Sequence, residues 1–180
     1  MSQTGVHREK NPAAVKEAII SAACQFIAEH GMPALTLQAV ADRAGVTKSG
    51  LLHHFKSKDA LLAELRTHAF GKFSETLDSH MQQDSGGEGI FTRAYIRTCL
   101  ESVRQHSDLL LITTLWSDPE MKSLWYEWLA EREAMYAESD GGSTYKILRL
   151  ATDGAWLAAL DGKETQEVES ELLAMAKGCL

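Results

Sequence analysis

The stretch Gly45–Phe55, GVTKSGLLHHF, gathers a lysine, two hydroxyl residues and two adjacent histidines around a G-x-x-x-x-G spacing. That spacing opens a phosphate-cradling nucleotide loop. Such a loop needs Lys and then Ser or Thr directly after the second glycine, to reach the outer phosphates and their magnesium ion. Leu51 and Leu52 stand in those places. It also needs a strand before it, whereas TLQAVADRA sets Val40, Ala41 and Ala44 at helical spacing. The nucleotide reading fails on chemistry and on context, and the glycine, the lysine and the histidines need another explanation.

Other chemistry is thinly represented. The sequence has no G-x-S-x-G, no H-E-x-x-H and no dinucleotide fingerprint, and no cysteine stands beside a plausible base. The carboxylates of LAEREAMYAE and ETQEVESE fall on faces predicted to be exposed and read as solvated charge. An enzyme is therefore the weaker alternative. His7, His30, His53, His54, His68, His80 and His106 never adopt a compact ligand spacing, so no metal is expected, and no cofactor. Cys24, Cys99 and Cys179 are far apart and read as reduced thiols, Cys24 and Cys99 as buried ones. A metal sensor, or a thiol sensor working through Cys99 or Cys179, remains a second alternative. No apolar run approaches the roughly 18 residues that cross a bilayer. MSQTGVHREK lacks the apolar stretch of a secretory signal, which predicts a cytoplasmic protein without a membrane partner.

The elements around the opening stretch announce themselves by their ends. In NPAAVKEAIISAACQFIAEHG, Asn11 can cap, Pro12 suits the first helical position and Gly31 the position past the end. Val15, Ile19, Ala22, Ala23 and Phe26 form its apolar stripe. Thr36 precedes the short helix LQAVADRA, Thr47 precedes KSGLLHHF, and Ser57 precedes a long helix whose Leu61, Leu65, Phe73 and Leu77 face inward. Past the loop DSGGEG the pattern stays helical through FTRAYIRTCLESVRQH, DLLLITTLW, PEMKSLWYEWLAEREAMYAE, STYKILRLATDGAWLAAL and ETQEVESELLAMAKG. The spacing predicts an all-α protein of about nine helices. Residues 10–58 form a small N-terminal domain, with its helix pair at about 36–55, and residues 59–180 form a larger helical domain.

Two threonine-capped helices joined at Ala44-Gly45-Val46 make a helix-turn-helix, the glycine allowing reversal where a Cβ is expected to obstruct it. In its second helix Val46, Leu51 and Phe55 turn inward, while Thr47, Lys48, Ser49, Gly50 and His53 face out. These short or basic side chains permit close approach to the major groove, and the exposed amides at the helix start favour anions. Charge agrees. The net charge is -7, yet residues 1–58 hold 7 Lys/Arg against 4 Asp/Glu, and residues 59–180 hold 11 against 21. A basic head on an acidic body can grip a polyanion despite the total.

The run TLQAVADRAGVTKSGLLHHFKSKDALLAEL resembles the DNA-binding module of the tetracycline-repressor (TetR) family of bacterial transcription regulators. It shares the capping Thr, the Val-Ala pair, Ala-Gly-Val, a Ser/Thr, a Leu, His-Phe and Ser-Lys, in that order, and the likeness extends over Val15 to Leu65. The resemblance implies that Thr36 and Lys58 hold backbone phosphates, that Thr47, Lys48, Ser49 and Gly50 lie at the bases, and that His53 or His54 touches phosphate or sugar. The family usually has Tyr at one or both of the positions held here by Leu52 and His53. His53 then replaces the phenolic contact with a titratable one. On spacing alone, His54 reads as packing or capping beside Phe55.

A helix-turn-helix monomer covers few base pairs, so a homodimer on a pseudo-palindromic operator is expected, with half-sites roughly 34 to 36 Å apart. Small residues Ala151, Gly154, Ala155, Ala158 and Ala159 permit close helix contact. Leu148, Leu157 and Leu160 add apolar area, and Val168, Leu172, Met175 and Ala176 form a stripe on the last helix. The resemblance implies a four-helix dimer interface from the final two helices; closing the monomer's own core is the alternative for both faces. It further implies a small-molecule effector in the second domain whose occupancy changes the spacing of the two heads, repression being the commoner mode. RLATDGAWLAALDG is similar to one of the family's ligand-domain branches. Phe91, Tyr95, Trp116, Met121, Trp125 and Trp128, with Tyr126 and Trp156, are candidates to line an aromatic cavity or to be plain core.

Overall fold

A computed structural model describes residues 11–104 and 118–178, and among these it contains nine α-helices and one short 3-10 turn. The helices are α1 (Pro12–His30), α2 (Leu37–Arg43), α3 (Lys48–His54), α4 (Lys58–Gln83), α5 (Ile90–Arg104), α6 (Pro119–Met135), α7 (Ala137–Asp140), α8 (Ser143–Leu160) and α9 (Gln166–Lys177), with the 3-10 turn at Met32–Ala34. The helix expected over DLLLITTLW lies outside the described residues. The chain divides into two compact units, Met1–Leu65 and Arg66–Leu180, and the division falls within α4. None of the described helices is long and apolar enough to cross a membrane.

The first unit is built on side-chain caps. Asn11 Oδ1 accepts from the Ala13 amide at 3.1 Å, Thr36 Oγ1 from Ala39 at 3.1 Å, Thr47 Oγ1 from Gly50 at 3.0 Å and Ser57 Oγ from Ala60 at 3.1 Å. Each satisfies an amide that its helix cannot pair internally, a contribution of about 1 kcal/mol per cap. α1 packs on α2, and α2 on α3. Ile19, Ile20, Ala23, Ile27, Leu35, Val40, Ala41, Leu51, Phe55, Leu61 and Leu65 are buried. The inward stripe of α1 differs from its expected course: Ile20 and Ile27 are buried, while Phe26 is half-buried with its ring edge-on to His30 at 4.6 Å.

In the second unit α5 is the central element, buried nearly all round, and it packs against α7, α8 and α9. One cluster joins Phe73, Leu77, Phe91, Ala94, Tyr95, Cys99 and Trp125; another joins Ile96, Leu100, Tyr145, Leu148, Leu172 and Ala176. The expected single helix running to Glu138 instead breaks at Tyr136, whose ring stacks on Phe91 at 5.4 Å. The break lets α7 deliver Asp140 to the start of α5, where its carboxylate accepts from the Phe91 and Thr92 amides at 3.3 and 2.8 Å. A carboxylate there meets both unpaired amides and the positive end of the helix dipole.

Candidate nucleic-acid interface and regulatory unit

The reversal between α2 and α3 rests on backbone bonds. Val46 N–H donates to the Ala41 carbonyl at 3.0 Å and Gly45 N–H to Asp42 at 3.3 Å, the paired bonds of a Schellman ending, with Gly45 at φ +65°. No heavy atom lies within 4 Å of a Cβ built on Gly45. The expectation of steric obstruction is corrected: glycine is favoured by the left-handed dihedral, which costs other residues about 1 kcal/mol or more. Gly50 is tighter, since its Cβ would stand 3.2 Å from the Thr47 hydroxyl oxygen that caps α3.

α3 is thereby held with Leu51 and Phe55 buried, Val46 half-buried, and Thr47, Lys48, Ser49 and His53 exposed. Gly50, His54 and Lys58 are half-buried, and Thr36 is exposed at the start of α2. The His53 and His54 rings meet edge-to-face at 5.7 Å. Positive charge in this unit is of two kinds. Arg43 donates to Glu29 at 2.7 Å and to Gln25 at 3.4 Å, and Lys16 pairs with Glu64 at 2.8 Å, so these are engaged within the unit. The Arg43 hydrogen bond holds Glu29 below the usual carboxylate range and raises Arg43. Lys48, Lys56 and Lys58 have no ion-pair partner among the described residues. Such uncommitted cations suit phosphate or base edges.

The expected cavity residues have mixed surroundings. Phe91 and Tyr95 are fully buried, Met121 and Trp125 nearly so, and Trp128 is half-buried against the same cluster; Trp116 lies outside the described residues. Sequence reasoning overlooked the polar groups threaded through this core. Arg149, buried on α8, donates to Thr92 Oγ1 and Glu133 Oε1, both at 2.7 Å, with its guanidinium 5.3 Å from the Phe91 ring centre and its Nε without an acceptor. The Tyr95 hydroxyl donates to Asp153 Oδ1 at 2.6 Å. Burial pushes the Tyr95 hydroxyl, the Cys99 thiol and the Asp153 carboxyl above their ordinary values. A signal did exist. Tyr145, Leu148, Arg149 and Thr152 recur at spacings of three and four, so the apolar stripe of α8 carries its arginine inward. Among the described residues no group of three His, Cys, Asp or Glu is placed to hold a metal ion.

The residues expected at a dimer contact divide in the same way. Ala151, Gly154, Val168 and Met175 are exposed and Ala158 is half-buried; Ala155 leans on the second core cluster and Leu172 is buried within it. Leu148 is also core, whereas Leu157 and Leu160 are exposed.

Comparison with known proteins joins the two units. Residues 19–65 match the family model of bacterial regulatory proteins of the tetR family, and residues 89–177 match that of the tetracyclin repressor-like C-terminal domain. The HTH-type transcriptional repressor KstR2 of Mycolicibacterium smegmatis is 28% identical over 88 residues, 47% of this chain and 43% of that protein. The chain therefore spans less than half the length of this relative. The solved structure of SCO1917, a member of the TetR family from Streptomyces coelicolor A3, superposes with a TM-score of 0.71 at 20% identity, over 89% of this chain and 97% of that one. The multidrug-binding protein EbrR, complexed with malachite green, gives 0.70 at 21%, over 89% and 96%. With α3 presenting exposed residues on a helix-turn-helix, and family models that match both the head and the helical unit that follows it in the sequence, the chain belongs to the tetR family of bacterial regulatory proteins.

Proposed function

We propose that this chain is a sequence-specific DNA-binding transcriptional regulator, a repressor released from its operator when a small molecule binds the C-terminal domain. The head is residues 10–58 and the regulatory and dimerisation domain residues 59–180. The observation that carries the reading is α3: Leu51 and Phe55 anchor one side while Thr47, Lys48 and Ser49 stand exposed at its start. This is the arrangement in which a recognition helix enters the major groove with its first residues at base edges. Gly50 keeps the backbone slim there, Thr36 and Lys58 serve as phosphate contacts, and His53 or His54 touches phosphate or sugar, His53 in place of the tyrosine usual in the family.

The chain works as a homodimer in the cytoplasm, on a pseudo-palindromic duplex. Apolar side chains left exposed on α8 and α9 support the dimer, and the aromatic core around Phe91, Tyr95, Met121, Trp125 and Trp128 supports an effector site. That EbrR is solved with malachite green shows the fold admitting a ligand in that protein. A thiol sensor finds no support at Cys99, because burial raises its thiol where a redox sensor needs an accessible, activated thiolate.

Selection from a random duplex pool, followed by fluorescence polarisation, tests the reading. Random duplex should bind weakly with a steep salt dependence, and the selected sequence roughly a thousandfold or more tighter. Equal affinity for selected and random duplex, or indifference to salt, would sink it.

A further inference from the structure

The end of α3 carries two adjacent histidines and no acid. From Thr47 to Ser57 the basic side chains are Lys48, His53, His54 and Lys56, Lys58 follows directly, and no Asp or Glu intervenes. His53 is exposed and His54 half-buried, and their rings stand edge to face with centres 5.7 Å apart. Among the described residues neither ring has a hydrogen-bond or ion-pair partner. Leu52, half-buried beside them, offers no polar atom, so the polar side chains in the last turn of α3 are the two imidazoles.

The acids of the neighbouring elements are engaged elsewhere or solvated. On α2, Asp42 accepts from Gln38 Nε2 at 2.8 Å, and Arg43 is held by Gln25 and Glu29 of α1. Glu29 also faces His30 at 3.6 Å. Lys16 of α1, whose ammonium lies 6.0 Å from the Phe55 ring centre, pairs with Glu64 of α4. Glu17 is exposed on α1, and Asp59 is exposed in the first turn of α4, where a helix start favours a carboxylate. A positive imidazole at the end of α3 thus meets no carboxylate partner in the free head. A duplex supplies one, a phosphate charge roughly every 1.7 Å along its axis. Imidazole is the side-chain type whose charge changes between about pH 5 and 8, and a group whose charged form gains its counter-charge only in the complex binds protons more fully there.

We infer that His53, its ring braced edge to face by His54, is a phosphate contact that takes up a proton as duplex binds, so that operator affinity falls as pH rises from about 6 to about 8. This rests on the DNA-binding reading above and deepens it by making the grip of the head depend on pH. Polarisation of the selected duplex with the full chain, at fixed ionic strength across that range, reads the coupling as affinity. Calorimetry near pH 7, in two buffers of different ionisation enthalpy, reads it as protons absorbed.

The wild type should lose roughly tenfold in affinity from about pH 6 to about pH 8, with the salt slope shrinking by about one and net proton uptake on binding. His53→Gln should bind weakly at every pH and absorb no protons. His53→Lys, a permanent cation at the same place, should hold the acid-side affinity throughout, a rescue that a merely structural role of the ring does not explain. His54→Gln, and His30→Gln elsewhere in the head, should keep most of the pH dependence. Affinity that does not change with pH overturns the inference and leaves the DNA-binding reading standing. So does a pH dependence that survives in His53→Gln or in His53→Lys. Failure of every duplex to bind at low salt at any pH overturns the regulator reading itself, and the proton uptake with it.

Discussion

Lys48 and Lys58 bear the same charge and are both free of ion pairs among the described residues, yet they stand on different helices. Lys48 opens α3 and is exposed beside Thr47 and Ser49; Lys58 opens α4 and is half-buried. Lys48→Ala should relax base preference, weakening the selected duplex by roughly 1–3 kcal/mol more than random duplex. Lys58→Ala should weaken all sequences alike and reduce the salt slope by about one. Polarisation titrations of both variants at several salt concentrations separate the two, and identical effects on every sequence would remove the division of labour. At this scale the sequence was informative wherever the determinant is local. A threonine and the amide three residues later are enough to specify a cap, and all four side-chain caps expected in the head form. The Tyr95–Asp153 hydrogen bond was not legible, because its two residues lie on different helices far apart in the chain.

Among the elements, the loop that joins α4 to α5 is held by charge. Asp84 accepts from Arg93 Nε and Nη2 at 3.0 and 2.6 Å, from Arg97 at 3.0 Å and from the Gly86 amide at 3.1 Å, and Arg93 donates back to the Glu88 and Gly86 carbonyls. The Asp84 and Arg93 side chains are 3% and 5% exposed, so losing one partner strands a buried charge. Arg93 holds the Asp84 carboxyl far below the usual carboxylate range. A depressed folded-state value means that the stabilisation is complete above the unfolded value of about 3.9 and is lost as pH falls below it. Asp84→Asn should therefore cost on the order of 3 kcal/mol near neutral pH, with the gap to wild type narrowing in acid. Denaturant unfolding followed by tryptophan fluorescence reports on this unit, since residues 1–65 contain no tryptophan. A gap independent of pH from about 7 down to about 3 would show that the charge is not the cause. Helix existence was readable from apolar spacing along most of the chain, whereas the break at Tyr136 was not: it answers to the amides of α5, a demand from outside its own segment.

Across the whole molecule the unmet demand is apolar. Tyr145, Leu148, Arg149 and Thr152 line the inner side of α8, while Ile147, Leu150 and Leu157 are 62%, 70% and 57% exposed on the opposite side, with Ala151 and Gly154 between them. Val168 and Met175, two turns apart on α9, are exposed as well. Large aliphatic side chains separated by small residues suit helices that approach a second copy closely, and in a two-fold contact each such residue is used twice. Burying one leucine side chain contributes about 1.5–3 kcal/mol, so Leu157→Glu removes about twice that from a dimer and adds two desolvated charges. The expected outcome is a wild type that sediments as a dimer and a variant that sediments as a folded monomer, its helical content retained and its operator affinity reduced. Leu124→Glu on α6, a different helix, where the leucine is 43% exposed, should leave the dimer intact. If Leu157→Glu stays dimeric at micromolar concentration while Leu124→Glu dissociates, the second copy docks on α6 and the small-residue face of α8 has another purpose.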